Sequence, residues 1–156
     1  MARAVIAFGS NLGDRAGHLY RAIEALDCLP GTRVLVVSSF IETEPVDVPP
    51  AYQSLRFLNG ALIVETALAP EALLAELNRL EDEAGRIRAE RNGPRPLDLD
   101  IILYEGVRRE SEHLTLPHPR AHLRDFVLRP LAELGITQAD LLTNNFPQTL
   151  SREHHF

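Results

Sequence analysis

The run LDLDIILY at 97–104 restricts the fold more than any other part of the sequence. So dense a set of leucines and isoleucines reads as a buried strand, and alternate side chains of a strand point to opposite faces. Asp98 and Asp100 therefore share one face, while Leu97, Leu99 and Ile101 take the other. At about 3.3 Å of rise per residue the two carboxylates are roughly 6 to 7 Å apart along the strand. Each disfavours ionisation of the other unless a cation lies between them, and a divalent metal is the obvious candidate. Such a pair belongs at the edge or mouth of a sheet.

The rest of the chain supplies partners for that strand. Residues 4–8, AVIAF, read as a buried strand that ends in a turn at 9–14, GSNLGD. Asp14 can cap a helix over 15–28, which carries Leu19, Ile23 and Leu26 at helical spacing and stops before Pro30 and Gly31. RVLVVSSFI at 33–41 is rich in β-branched residues and predicts a second strand. A loop with Pro45, Pro49 and Pro50 follows, then a third strand over 58–66, LNGALIVET. Pro70 suits a first helical turn, and Leu73, Leu74, Leu77 and Leu80 line one face of a helix to about residue 84. FVLRPLAEL at 126–134 predicts a last helix, and the polar stretch 135–156 reads as a loosely attached tail.

The order is strand, helix, two strands, helix, strand. That is an α+β pattern, the ferredoxin-like split βαβ order, with an antiparallel sheet, helices packed on one face and C-terminal additions. A chain of 156 residues is long enough to bury one core, so a single domain over 1–156 is expected.

Composition removes several functions. All 16 basic residues are arginine, which rules out a Schiff-base lysine and a lysine-bearing phosphate loop. Phosphate recognition would fall to bidentate arginine forks. A net charge of −6 argues against a general nucleic-acid binder. Cys28 is the sole cysteine and can form no internal disulfide. No apolar run approaches the roughly 18 residues of a membrane span and no signal-peptide pattern opens the chain, so a cytoplasmic monomer acting on small molecules is expected.

Within this frame, RIRAERNGPRP at 86–96 places Arg86, Arg88, Arg91 and Arg95 immediately before the strand with the two aspartates. A charge run is commonly a solvated surface, but four arginines beside an acidic pair, with Arg120 and Arg124 further on, form a clamp suited to a polyphosphate. Magnesium fits the aspartates because it takes hard oxygen ligands and keeps water and substrate phosphates as the others. Phe57 and Phe126 fall where core packing is the commoner role; the alternative is a stacking slot for a flat heterocycle, with Asn59 offering a donor and an acceptor to its edge. His118 in LPHPR is placed to touch a phosphate or ribose, and the remaining histidines lack the spacing of a zinc site.

These blocks, GSNLGD, ETEP, FLNGA, GPRPLDLDIILY, LTLPHPR and RDFVLRPLAEL, together resemble the 6-hydroxymethyl-7,8-dihydropterin pyrophosphokinase family of folate biosynthesis over about 4–134, in family order. The resemblance implies transfer of the β,γ-diphosphate of ATP to the pterin hydroxymethyl group, giving AMP. It implies a pair of Mg²⁺ on Asp98 and Asp100, phosphate contacts from Arg86, Arg95 and Arg91, and a pterin slot between Phe57 and Phe126 with polar contacts from Thr43 and Asn59. It assigns Glu81, Ile101, Thr115, His118 and Arg124 to the ATP side. The sequence departs from the family pattern at Asn92, where many members carry tryptophan, at Asn78, commonly glutamine, at Phe57, frequently tyrosine, and in a shorter arginine loop. Two alternatives remain at this point: a paralogue that binds ATP but turns pterin over poorly, and a non-catalytic ferredoxin-like ligand-binding module.

Overall fold

The computed structural model describes residues 1–44, 50–52, 56–85 and 94–148. Its main sheet runs in the order β2-β4-β1-β5, with every pair antiparallel, and comprises β1 (Ala2–Ser10), β2 (Thr32–Val37), β4 (Phe57–Thr66) and β5 (Asp98–Tyr104). A short β3 (Ile41–Thr43) pairs with the start of β4 beyond the end of β2. The chain is thus α+β with an antiparallel sheet.

Two elements depart from the sequence expectation. The turn expected at residue 9 begins later, because β1 continues through Gly9, which pairs on both sides, and Ser10, which pairs with Leu58. The single strand expected over 33–41 is two strands, broken at Ser38. Ser38 N–H still donates to Ala61 O (2.8 Å), but its hydroxyl accepts from Ala61 N–H (2.9 Å) and the following Ser39 N–H donates to Glu133 Oε1 (2.9 Å), so side chains take over part of the ladder there.

Helices α1 (Arg15–Asp27) and α2 (Pro70–Glu83) cover one face of the sheet. Asp14 caps α1 by accepting from Gly17 N–H, and Pro70 occupies the first turn of α2. Leu19, Ala22, Ile23 and Leu26 from α1 and Leu73, Leu77 and Leu80 from α2 meet Ile6, Leu62, Leu99 and Ile101 of the sheet in a first core. Helices also pack on the opposite face, contrary to the one-face expectation. There α3 (Asp125–Glu133) and α4 (Gln138–Thr143) place Val127, Leu131 and Leu141 against Val5, Ala61, Ile63 and Ile102 in a second core.

The stretch after residue 135 is correspondingly not loose as far as Gln148. Ile136, Leu141 and Phe146 are 1%, 3% and 7% exposed, Thr137 and Asp140 form a reciprocal capping box, and the Arg3 guanidinium lies over the Phe146 ring (4.5 Å) while donating to Pro147 O (2.9 Å). The polar composition that suggested a tail belongs to the outer faces of this segment. Residues 149–156 lie outside the described part.

A bulge divides β5. Val5 pairs with Leu103 but Ile6 with Ile101, leaving Ile102 as the extra residue, so Ile102 and Leu103 both contribute to the second core. Upstream of the bulge, Leu97, Leu99 and Ile101 face the first core, and Asp98 and Asp100 share the opposite face, as the alternation predicts.

Leu141→Ala should destabilise the protein by about 2–5 kcal/mol in denaturant unfolding, since it empties a fully covered position of the second core. A loss below about 0.5 kcal/mol would mean that α4 is only peripherally attached.

Candidate active site

The second face of the sheet is filled by α3 and α4 only at one end. At the other, β4, β1 and β5 form the floor of an open cleft of about 690 Å³. The antiparallel registers line up rows of residues across that floor. One row runs Asn59, Gly9, Asp98 and the next runs Ala61, Ala7, Asp100. Small residues on the central strand thus separate an amide on one side from two carboxylates on the other.

On the β4 side, Phe57 and Asn59 project into the cleft, and Phe126 reaches it from the first turn of α3. Asn59 is 7% exposed and its Nδ2 donates to Thr43 Oγ1, which fixes the amide against β3. Thr43 pairs with Phe57 across the β3–β4 ladder, so the four residues expected to form a heterocycle slot meet at one end of the cleft.

At the β5 end, Asp98 and Asp100 are half-buried. Arg95 Nη1 donates to Asp98 Oδ1 (3.3 Å), and the Arg95 backbone is held by Asn11, whose N–H donates to Arg95 O (3.0 Å) and whose Oδ1 accepts from Arg95 N–H (2.6 Å). This partly buried clasp ties a residue three positions before β5 to the residue after β1, and nothing in the GSNLGD motif alone announces it. Glu81, 2% exposed on α2, accepts from Leu99 N–H (2.9 Å) and so anchors the helix to the backbone between the two aspartates.

The third wall is basic. The chain passes a cis Leu116–Pro117 peptide to His118, whose N–H donates to Ile102 O (2.9 Å) and places the ring in the cleft beside Arg120 and Arg124. Burial pushes the His118 pKa down to about 4, with the positive charges of Arg124 and Arg120 acting in the same direction and Asp98 opposing them. The ring is therefore neutral near pH 7. Because Nδ1 accepts from Arg120 N–H (3.2 Å), the proton sits on Nε2, leaving that nitrogen as a donor. His113, which the sequence reading set aside, also lines this wall.

The structure thus gathers Thr43, Phe57, Asn59, Glu81, Arg95, Asp98, Asp100, His118, Arg124 and Phe126 around one cleft. Two expected residues are not among its lining. The Ile101 side chain points into the first core at 3% exposure, and Thr115 lies in β7 (Thr115–Leu116), which pairs with β6 (Arg109–Glu110). Arg86 and Arg91, with Arg88 and Asn92, lie outside the described residues.

Whether the acidic pair suits a divalent ion can be judged from its donors. Among the described residues no group of three or more His, Cys, Asp or Glu side chains gathers in a cage. Two neighbouring carboxylates opening into a wide cleft are instead the donor set of an oxygen-loving ion that shares its remaining positions with water and a ligand, and Mg²⁺ fits.

Comparison with known proteins identifies the family. The family model described as 7,8-dihydro-6-hydroxymethylpterin-pyrophosphokinase (HPPK) matches residues 5–136. The 2-amino-4-hydroxy-6-hydroxymethyldihydropteridine pyrophosphokinase of Bacillus subtilis is 45% identical over 131 residues, covering 84% of this chain and 77% of that protein. Its namesake in Haemophilus influenzae is 41% identical over 145 residues, 93% of this chain and 87% of that one. The folic acid synthesis protein fol1 of Schizosaccharomyces pombe is 45% identical over 135 residues; the match takes in 85% of this chain but 18% of that much longer protein.

The His118 environment has a measurable signature. With a native pKa near 4 against an unfolded value near 6.5, the unfolded chain binds a proton that the native state does not between those limits, so this residue makes stability fall as pH drops through that window. The unfolding free energy of His118→Asn should therefore depend less steeply on pH between 6.5 and 4 than that of the parent protein. Parallel profiles for the two proteins would contradict the assignment of a neutral buried ring.

Proposed function

The chain belongs to the 7,8-dihydro-6-hydroxymethylpterin-pyrophosphokinase family, and on that basis we propose that it transfers the β,γ-diphosphate of ATP to the hydroxymethyl oxygen of 6-hydroxymethyl-7,8-dihydropterin, releasing AMP and giving the pterin diphosphate for folate synthesis. The observation that carries the reading is the shared floor of the cleft. An aromatic and amide slot at β4 and a carboxylate and arginine end at β5 are separated only by the small side chains of β1. Two substrates laid on that floor meet over the central strand. The strand order β2-β4-β1-β5 supports describing the sheet as ferredoxin-like, and the packing of the described residues on one shared sheet supports a single domain.

In this reading Phe57 and Phe126 hold the two faces of the pterin while Asn59 and Thr43 satisfy its polar edge. Asp98 and Asp100 hold Mg²⁺, which when bound neutralises charge on the transferring phosphates. Arg95 turns its guanidinium from Asp98 to the phosphates, and Arg124 and the Nε2–H of His118 complete the basic wall. Glu81 holds β5 against α2. Arg86 and Arg91 are assigned to the phosphates by their place in the sequence alone. The reaction breaks the bond between the β-phosphorus and the oxygen that bridges it to the α-phosphorus, leaves that oxygen on AMP, joins the β-phosphorus to the pterin oxygen and releases the alcohol proton. Such a transfer asks chiefly for alignment and charge neutralisation, which is what a rigid floor between two binding ends provides.

Incubation of the protein with ATP, Mg²⁺ and the hydroxymethyl dihydropterin should yield AMP and the pterin diphosphate. Formation of ADP, or ATP consumption independent of the pterin, would sink the proposal. Asp98→Ala and Asp100→Ala should each lower kcat at least about a hundredfold while leaving the far-ultraviolet circular dichroism unchanged. Rates near the parent value in either variant would remove the metal assignment.

A further inference from the structure

Gly9 is glycine for a reason the backbone does not supply. It lies inside β1, paired with Asn59 on one side and Asp98 on the other, and it is not among the glycines with positive φ. Glycine in the interior of a strand weakens the strand, so its use there needs a steric cause. A Cβ at residue 9 would sit 2.5 Å from Asn59 Oδ1 and 3.5 Å from the Phe57 ring.

The collision has no cheap escape. The Asn59 side chain is buried, and its Nδ2 is tied to Thr43 Oγ1 on the far side from Gly9. Retreat of Oδ1 by the required distance would turn the amide, break that hydrogen bond and crowd Phe57. Resting on the pterin reading of the cleft, we infer that Gly9 is a positioning residue for the heterocycle slot: its missing side chain lets Asn59 lie flat against the central strand with its amide aimed at the ligand. Thr43 holds that amide from the β3 side and Gly9 leaves it room on the β1 side. The atoms nearest to a Cβ at residue 9 belong to Asn59 and Phe57, at the heterocycle end of the floor.

The test is a double-mutant cycle of Gly9→Ala and Asn59→Ser, the serine being too short to meet a Cβ at residue 9. For the four proteins, calorimetry would measure affinity for α,β-methylene ATP with Mg²⁺, then affinity for the dihydropterin in its presence, alongside the melting temperature. Gly9→Ala alone should weaken pterin binding at least about tenfold while nucleotide affinity stays within about twofold. In the Asn59→Ser background the same change should alter pterin affinity and melting temperature little. Pterin affinity of Gly9→Ala within about twofold of the parent, or an equal loss in both backgrounds, overturns the inference. Should Gly9→Ala not fold, a double variant that melts like Asn59→Ser supports it, and one that also fails to fold overturns it. If the parent protein binds no dihydropterin, the functional reading fails, and the melting temperatures of the same cycle still decide whether residue 9 acts through Asn59.

Discussion

Cross-strand registry between β4, β1 and β5 is the constraint on which the rest of this molecule depends. An antiparallel ladder fixes which residues stand opposite one another, and neighbouring strands lie about 4.8 Å apart, so residues two strands away face each other across roughly 10 Å. Asn59 and Asp98 stand in that relation over Gly9, as Ala61 and Asp100 do over Ala7. Placed by such a ladder, the amide and the carboxylates need no flexible segment to bring them into range of one substrate pair. The spacing is a property of the sheet.

Both faces of the sheet contribute to holding that spacing. The first core binds α1 and α2 beneath the floor, with Glu81 bonded to the backbone between the two aspartates. The second core, built from α3, α4 and the residues up to Phe146, covers the opposite face only in part, and the uncovered remainder is the cleft. Phe126 and Arg124 stand at the boundary, where α3 begins. The segment after residue 135 thus helps to set where the cleft ends, although it carries none of the expected site residues.

Much of this was legible in the residues themselves because the governing rules are local. Alternation placed Asp98 and Asp100 on one face, helical spacing marked α1 and α2, and Pro70 and Asp14 marked their starts. What escaped depends on contacts between residues distant in the chain. The break at Ser38 follows from Ala61 and Glu133, the clasp on Arg95 from Asn11, and the burial of Ile136, Leu141 and Phe146 from packing against the sheet face on which no helix was expected. Gly9 was read as the opening of a turn because glycine commonly serves there; only the facing strand shows that it is a matter of space. Ile101 was assigned to the nucleotide side by resemblance, while its own parity in the strand sends the side chain into the first core.

The extra residue at Ile102 locks this arrangement in a further way. Below it, the side chains of β5 alternate between carboxylates and leucines; above it, Ile102 and Leu103 both enter the second core, so the strand cannot slide past β1 without tearing one core or the other. A shift of a single residue would drive both acids into oil and turn Leu97 and Leu99 toward the ligand. Insertions or deletions within β1, β4 or β5 are therefore closed to this chain as a way of reshaping what it accepts, and variation in substrate range must come through side-chain exchange on the floor or through the lengths of the connecting segments.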